Sequence, residues 1–195
     1  MQTKGEINIS PNYNKEDYLK LNLTLQSSQL DWNTAVMILK DRIEGRYFNQ
    51  ITLLSNDINA NGFTIMALNC LLIETLYQFK EGKDKTSSHQ NKEAYSDFLM
   101  QEFPHEFNTK NIADAFYTNI RCGILHSAQT KNKSRLSDRD DIVATFEKNT
   151  LIVSVKGVSS MLKEYFERYL QKLSDSSETA LRNNFIKKMK YVCRK

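Results

Sequence analysis

Apolar and polar residues alternate in two rhythms along this chain: every second position near its start, and every third or fourth through most of the rest. That pattern predicts a mainly helical protein with a little strand. In "LKLNLTL", Leu19, Leu21, Leu23 and Leu25 alternate with polar residues, the period of a half-buried strand, and "EINIS" upstream is placed to pair with it. Residues 1–30 are therefore expected to form an N-terminal strand or arm. Asp31 is then the expected cap of a long first helix in which Trp32, Val36, Leu39, Ile43, Tyr47, Ile51 and Leu54 recur at helical spacing, while Asp41, Arg42, Glu44 and Arg46 take other faces. The helix is expected to stop in "SNDINANG".

From Phe63 to Phe79 apolar residues cover almost every face, as in the central helix of a bundle, and Glu74 is the single charge. Such a carboxylate either pairs with a cation from another helix, Arg121 first and Arg42 or Arg46 as alternatives, or lies on a narrow exposed strip. "KEGKDKTSSHQNKE" reads as a polar loop in which His89 is solvated. "AYSDFLMQEF" predicts a short third helix ended by Pro104, and Asn108 or Thr109 caps a fourth that carries Ile112, Ala115, Phe116, Ile120 and Ile124 on one face. "IVATF" and "LIVSV", split by "EKNT", predict a β-hairpin at about 142–155. Met161, Leu162, Tyr165, Phe166, Tyr169, Leu170 and Leu173 stripe the next helix, and a basic last helix sets Leu181, Phe185, Met189 and Val192 opposite its lysines. With no internal repeat, residues 31–195 are expected to form one helical domain.

Composition sharpens this. A chain of 195 residues with 40% hydrophobic content, two prolines and six glycines can bury a core and is neither disordered nor a many-turned sandwich. The net charge of +4 is mild but uneven: Lys131, Lys133, Arg135 and Arg139 crowd one segment, and from Arg182 onward Lys187, Lys188, Lys190, Arg194 and Lys195 meet no acidic residue. Two basic surfaces are expected, open to a polyanion or simply solvated. Cys70, Cys122 and Cys193 are widely spaced with no C-x-x-C pair and are expected to be reduced. "MQTKGEINIS" has no apolar signal region, and the Phe63 to Phe79 segment is short for a bilayer and contains Asn69, Glu74 and Gln78. A soluble, cytoplasmic protein without membrane association is expected.

Most catalytic spacings are missing: there is no glycine-rich phosphate loop, H-E-x-x-H or G-x-S-x-G, and the three histidines form no metal-ligand pattern, so neither metal nor cofactor is expected. What remains is Arg121 with His126 in "FYTNIRCGILHSAQTKNKSRL". Histidine, a residue type that titrates near neutrality, can take a ribose 2′-hydroxyl proton or protonate a departing 5′-oxygen, while a guanidinium holds the phosphate oxygens as charge builds. On an ideal helix, side chains five residues apart point about 140° apart and lie about 7.5 Å apart along the axis. Either Gly123 allows a local distortion that joins the pair, or the pair flanks a groove completed by a second copy of the chain. The bland alternative is a histidine bonded to backbone and an Arg121 bridged to Glu74 for structure alone.

The run "FYTNIRCGILHSAQTK" resembles the signature of the HEPN superfamily, an arginine followed four to six residues later by a histidine near the start of a late bundle helix. "DRIEGRYFNQI" in a first helix, and "GFTIMALNCLLIETLYQF" carrying Glu74 in a second, fit the wider pattern, so the resemblance covers roughly residues 31 to 130. It implies a HEPN-like helical bundle, here with the hairpin and N-terminal strand as a small appendage, that dimerises so that two motifs face one cleft. It also implies a metal-independent endoribonuclease in anti-phage defence or a toxin–antitoxin pair, with RNA as substrate and an antitoxin or other defence protein as possible partner. By the same resemblance Arg121 polarises the scissile phosphate and His126 transfers protons, leaving a 2′,3′-cyclic phosphate and a 5′-hydroxyl; Glu74 and Cys122 are expected to support the site. Lys131, Lys133 and Arg135 are expected to guide the RNA backbone. Cys122 stands where active members usually carry a polar residue, often Asn or Asp; some superfamily members bind nucleotides or partner proteins instead of cutting RNA.

Overall fold

The computed structural model describes residues 8–86 and 91–194. His89, Lys195 and the first two residues of "EINIS" lie outside the described residues. The fold is mainly α with one small sheet. In chain order it comprises α1 (Lys15–Leu19), α2 (Gln29–Ile43), a π-helical turn (Glu44–Phe48), α3 (Asn49–Leu54), a 3-10 turn (Ser55–Asp57) and α4 (Ile58–Glu81). Then follow α5 (Asn91–Glu102), α6 (Lys110–Ala115), a second π-helical segment (Phe116–Arg121), α7 (Cys122–Ser127), β1 (Arg135–Ser137), β2 (Ala144–Glu147), β3 (Thr150–Ser154), α8 (Val155–Ser174) and α9 (Thr179–Cys193). These elements fall into two compact units, one made of the described residues up to Gln50 with Gln78–Lys85 and Phe166 onward, the other of Ile51–Tyr77 with Thr86–Tyr165.

In the first unit the strand expected over residues 19–25 does not form. Asn14 and Asp17 instead make a reciprocal capping box that starts α1, their two bonds measuring 3.0 and 2.9 Å, and Asn22 turns the chain at φ 42°. The alternating leucines therefore share no face: Leu23 is buried while Leu19 is 40% exposed. Upstream, the arm is an irregular strap. Asn12 donates from its backbone and side chain to Asp41 at 2.9 and 2.7 Å, and Arg42 donates to the Ile9 carbonyl. Gly45 is required beneath it, because a Cβ there would come within 2.2 Å of Pro11.

Ser28, not Asp31, caps α2 by accepting the Asp31 N–H. The buried positions run Trp32, Ala35, Ile38, Leu39 and Ile43, then Phe48, and the five-residue step from Ile43 to Phe48 is taken up by the π turn. Phe185 of α9 is the centre of this core, with Tyr18, Trp32 and Phe79 around it at centroid distances of 6.0 to 6.2 Å. The C-terminal basic surface is smaller than its sequence suggests. Arg182 is buried against the Trp32 ring at 4.2 Å and donates to the Leu173 and Ser174 carbonyls that end α8. Lys188 is also buried and donates to Gln78 and to the Asp84 carbonyl.

In the second unit "SNDINANG" is not a loop. Asp57 accepts the Ala60 N–H at 3.1 Å and Asn61 donates to the Leu54 carbonyl at 3.1 Å, so polar residues that read as a break instead join a 3-10 turn to a helix beginning at Ile58. Nor is α4 buried all round: Ile65, Met66, Cys70, Leu72, Ile73 and Leu76 are inside, but Phe63 and Leu71 are 45% and 43% exposed. Among the described residues one helical stretch, Gln29–Glu81, is long and apolar enough to cross a membrane by length and composition, and half of its apolar window is buried inside the protein. Phe98, Phe103 and Tyr165 pack edge-on or tilted within 6.0 Å, and Phe116 meets Phe107 at 5.4 Å.

The expected hairpin is present as β2 and β3, antiparallel, with Lys148 and Asn149 both at positive φ in the turn, the conformation that matches strand twist. β1 was not legible in its charged segment; it pairs parallel to β3, which becomes the central strand.

Candidate active site

Every residue of the candidate site belongs to the second unit. Thr109 caps α6 by accepting the Ile112 N–H. Phe116, Ile120 and Ile124 bury one side of the following segment and anchor it. Between Phe116 and Arg121 the backbone is π-helical: the N–H of Cys122 donates to the Tyr117 carbonyl, five residues back. Arg121 is the last residue of that distortion, and His126 lies in the final turn of α7. Such insertions recur at functional sites because they re-aim side chains at the expense of regular bonding.

The expected pairing of Glu74 with Arg121 is present. Nη2 of Arg121 donates to Oε2 of Glu74 at 2.9 Å, the two side chains being 13% and 25% exposed. Nη1 of the same guanidinium stands 3.4 Å from Nε2 of His126, whose ring is exposed. The divergence read from an ideal helix is thus overcome within one chain. Helical side chains lean toward the N-terminus, so His126 leans back over the turn of Arg121, and the long arginine side chain spans the rest.

The surroundings hold Arg121 charged. Burial works against its charge, but the bond and field of Glu74 outweigh it and raise the guanidinium above its ordinary value. The Arg121 guanidinium carbon lies 5.5 Å from the centre of the Tyr117 ring, a cation–π contact missed in the sequence because Tyr117 reads as one aromatic among many. Burial, followed by the neighbouring Cys122, pushes the Tyr117 hydroxyl up. Beneath lie Cys70 and Tyr95; burial pushes the Cys70 thiol up to about 12, with Tyr95 and Arg121 opposing the rise.

Of the expected RNA-guiding residues, Lys133 and Arg135 are exposed and Lys131 half-buried. Arg139 of the same basic segment is committed instead to Asp141 and Glu147. Asn119, buried two residues before Arg121, also escaped the sequence reading; the one signal was a polar residue at an otherwise apolar stripe position, four before Gly123. A cleft of 650 Å³ in the same unit, lined by Glu106, Asp140, Ile142, Lys156, Ser160 and Glu164 among others, contains none of the motif residues. Among the described residues no three His, Cys, Asp or Glu side chains stand close enough to hold a metal ion.

Comparison with protein-family models, with curated proteins and with solved structures finds no match in any of the three.

Proposed function

We propose that the protein is a metal-independent endoribonuclease of HEPN type, working in the cytoplasm as a homodimer in an anti-phage or toxin–antitoxin system. One observation carries the reading: a guanidinium anchored by Glu74 at 2.9 Å presents its other terminal nitrogen 3.4 Å from Nε2 of an exposed histidine. A phosphate oxygen bound at Nη1 would lie beside Nε2 of His126. The imidazole then takes the proton of the adjacent ribose 2′-hydroxyl, O2′ attacks phosphorus, and the P–O5′ bond breaks as the imidazolium so formed returns that proton to the leaving oxygen. The products are a 2′,3′-cyclic phosphate and a 5′-hydroxyl, and Arg121 stabilises the charge on the phosphorane oxygens.

A second reading draws on the same geometry. Glu74 already occupies Nη2, the guanidinium is largely buried, and Cys122 replaces the usual polar neighbour. These features suit a catalytically silent HEPN-like module that binds a nucleotide, nucleic acid or partner protein. Incubation of the purified protein with total RNA in excess EDTA separates the two. The nuclease reading requires cleavage to cyclic-phosphate ends, lost by roughly 10²- to 10⁴-fold in His126→Ala and Arg121→Ala and retained or raised in Cys122→Asn. Wild-type rates in both alanine variants would assign the cleavage to a contaminant; no cleavage by wild type or Cys122→Asn would favour the silent module.

A further inference from the structure

The loop that follows the motif folds back and is fastened to the motif helix. Lys131 donates its backbone N–H to the carbonyl of Asn119 at 2.9 Å, and Asn132 donates from Nδ2 to Oδ1 of Asn119 at 2.8 Å. Asn119 is 8% exposed, a buried amide whose acceptor and carbonyl both serve this loop. The approach is so close that a Cβ on Gly123 would lie 2.4 Å from the carbonyl oxygen of Gln129 and 3.3 Å from the nitrogen of Lys131. Asn132 and Lys133 take left-handed backbone at φ 51° and 59°, and Thr130 donates to the Ser134 carbonyl, which closes the loop on itself.

The place where the loop sits has a functional consequence. Gly123 and His126 are three residues apart on one α-helical segment and so are neighbours on its surface. The loop packed over Gly123 therefore lies on the His126 side of the helix, and it carries Lys131 and the exposed Lys133.

We propose that Asn119 is a positioning residue that locks the loop, and with it Lys131 and Lys133, at a fixed station beside His126, so that it governs how the RNA backbone docks rather than the chemical step. The proposal rests on the nuclease reading. Phosphate contacts set register without reading sequence, and a cation placed by a rigid loop docks a strand at a lower cost in ordering than one on a free chain.

The test uses Asn132→Gly in the full chain. Asn132 is exposed and at positive φ, where glycine is at ease, so this variant removes the side-chain bond to Asn119 without disturbing the fold. Amide exchange at Lys131 should quicken, and KM for a short labelled single-stranded RNA should rise roughly 3- to 10-fold, the effect of one lost hydrogen bond, with kcat little changed. Asn119→Ala should do the same. Lys133→Ala, which weakens docking in the wild-type background, should matter less once the loop is released, so the Lys133 and Asn132 effects should be non-additive. Unchanged KM or unchanged Lys131 exchange in Asn132→Gly, or full additivity with Lys133→Ala, would overturn the proposal while leaving the nuclease intact. Wild-type protein that neither binds nor cuts the RNA would remove both, and is distinguished because the parent itself is then silent.

Discussion

Nη1 of Arg121 stands 3.4 Å from Nε2 of His126 although the two residues are five apart on a helix, where side chains leave about 140° apart. Glu74 is the third member: it takes Nη2, so the guanidinium is fixed at one end and offered at the other. Two groups that the helical pattern separates are thus joined by side-chain length and by an anchor from α4, all within one chain.

The geometry of the pair makes a prediction about subunit mixing. Arg121→Ala and His126→Ala chains, given different tags, co-refolded and isolated as mixed dimers, should remain inactive, because neither chain holds both members. Return of roughly half of wild-type activity in the isolated mixed dimers, the value for one of two pairs completed across a two-fold axis, would show that the working contact is between subunits.

Glu74→Gln keeps an acceptor for Nη2 but removes the charge that holds Arg121 in place. With both side chains mostly shielded from solvent, the loss of stability should be about 1 kcal/mol, more than for an exposed pair and less than for a fully buried one. The effect on cleavage should be larger, roughly 10- to 100-fold in kcat, since small displacements of a charge-stabilising group weigh heavily on rate. Urea denaturation and single-turnover cleavage measured on one preparation read both; a rate unchanged within twofold would show that Glu74 does not orient the arginine.

How much of this was legible depends on what each signal measures. Periodicity found the long helices, and the β-branched runs around "EKNT" found the hairpin, because burial imposes those patterns directly. Arg121 was the first choice to pair with Glu74, ahead of Arg42, Arg46 or an exposed strip, because a carboxylate on an apolar helix is costly to bury without a cation. The leucine alternation of residues 19–25 misled because a local capping box at Asn14 and Asp17 needs no partner, whereas a strand does. Arg182 and Lys188 read as surface because composition cannot show a cation covering Trp32 or capping the end of another helix. The π segments are likewise invisible in propensity, and Arg121 is the last residue of the one before Cys122.

The three cysteines should separate by reagent. Cys70 and Cys193 are buried, and burial pushes both thiols up, whereas Cys122 is half-exposed. An alkylating reagent at mildly alkaline pH should add one adduct per native chain, on Cys122, and three after denaturation, counted by mass. Linkage gives the sign of the pH dependence. Cys70 and Tyr95 are held neutral in the fold with raised values, so their contribution is fully present below the unfolded thiol range near ~8.5 and is lost as pH climbs through about 12 for Cys70. Denaturant midpoints should accordingly fall from about pH 9 upward. A flat midpoint over that range, or native labelling of more than one cysteine, would contradict this burial.

Ala128 offers the cleanest test of backbone strain. It ends α7 at φ 52°, its N–H donating to the Ile124 carbonyl at 3.1 Å, the left-handed cap that usually carries glycine at this position. An alanine Cβ in the left-handed region costs about 1–2 kcal/mol, and glycine would remove that cost while adding back somewhat under 1 kcal/mol of chain freedom in the unfolded state. Ala128 is exposed, so no packing is lost. Ala128→Gly should therefore stabilise by about 0.5–1 kcal/mol, a rise of ~1–4 °C in Tm for a chain of this length. Ala128→Val should move the other way by at least as much, since a β-branched side chain tolerates positive φ still less. Calorimetry on the three proteins decides the matter: a glycine variant less stable than the parent, with the valine variant unaffected, would mean that residue 128 does not hold the left-handed turn that brings the following loop back onto Gly123.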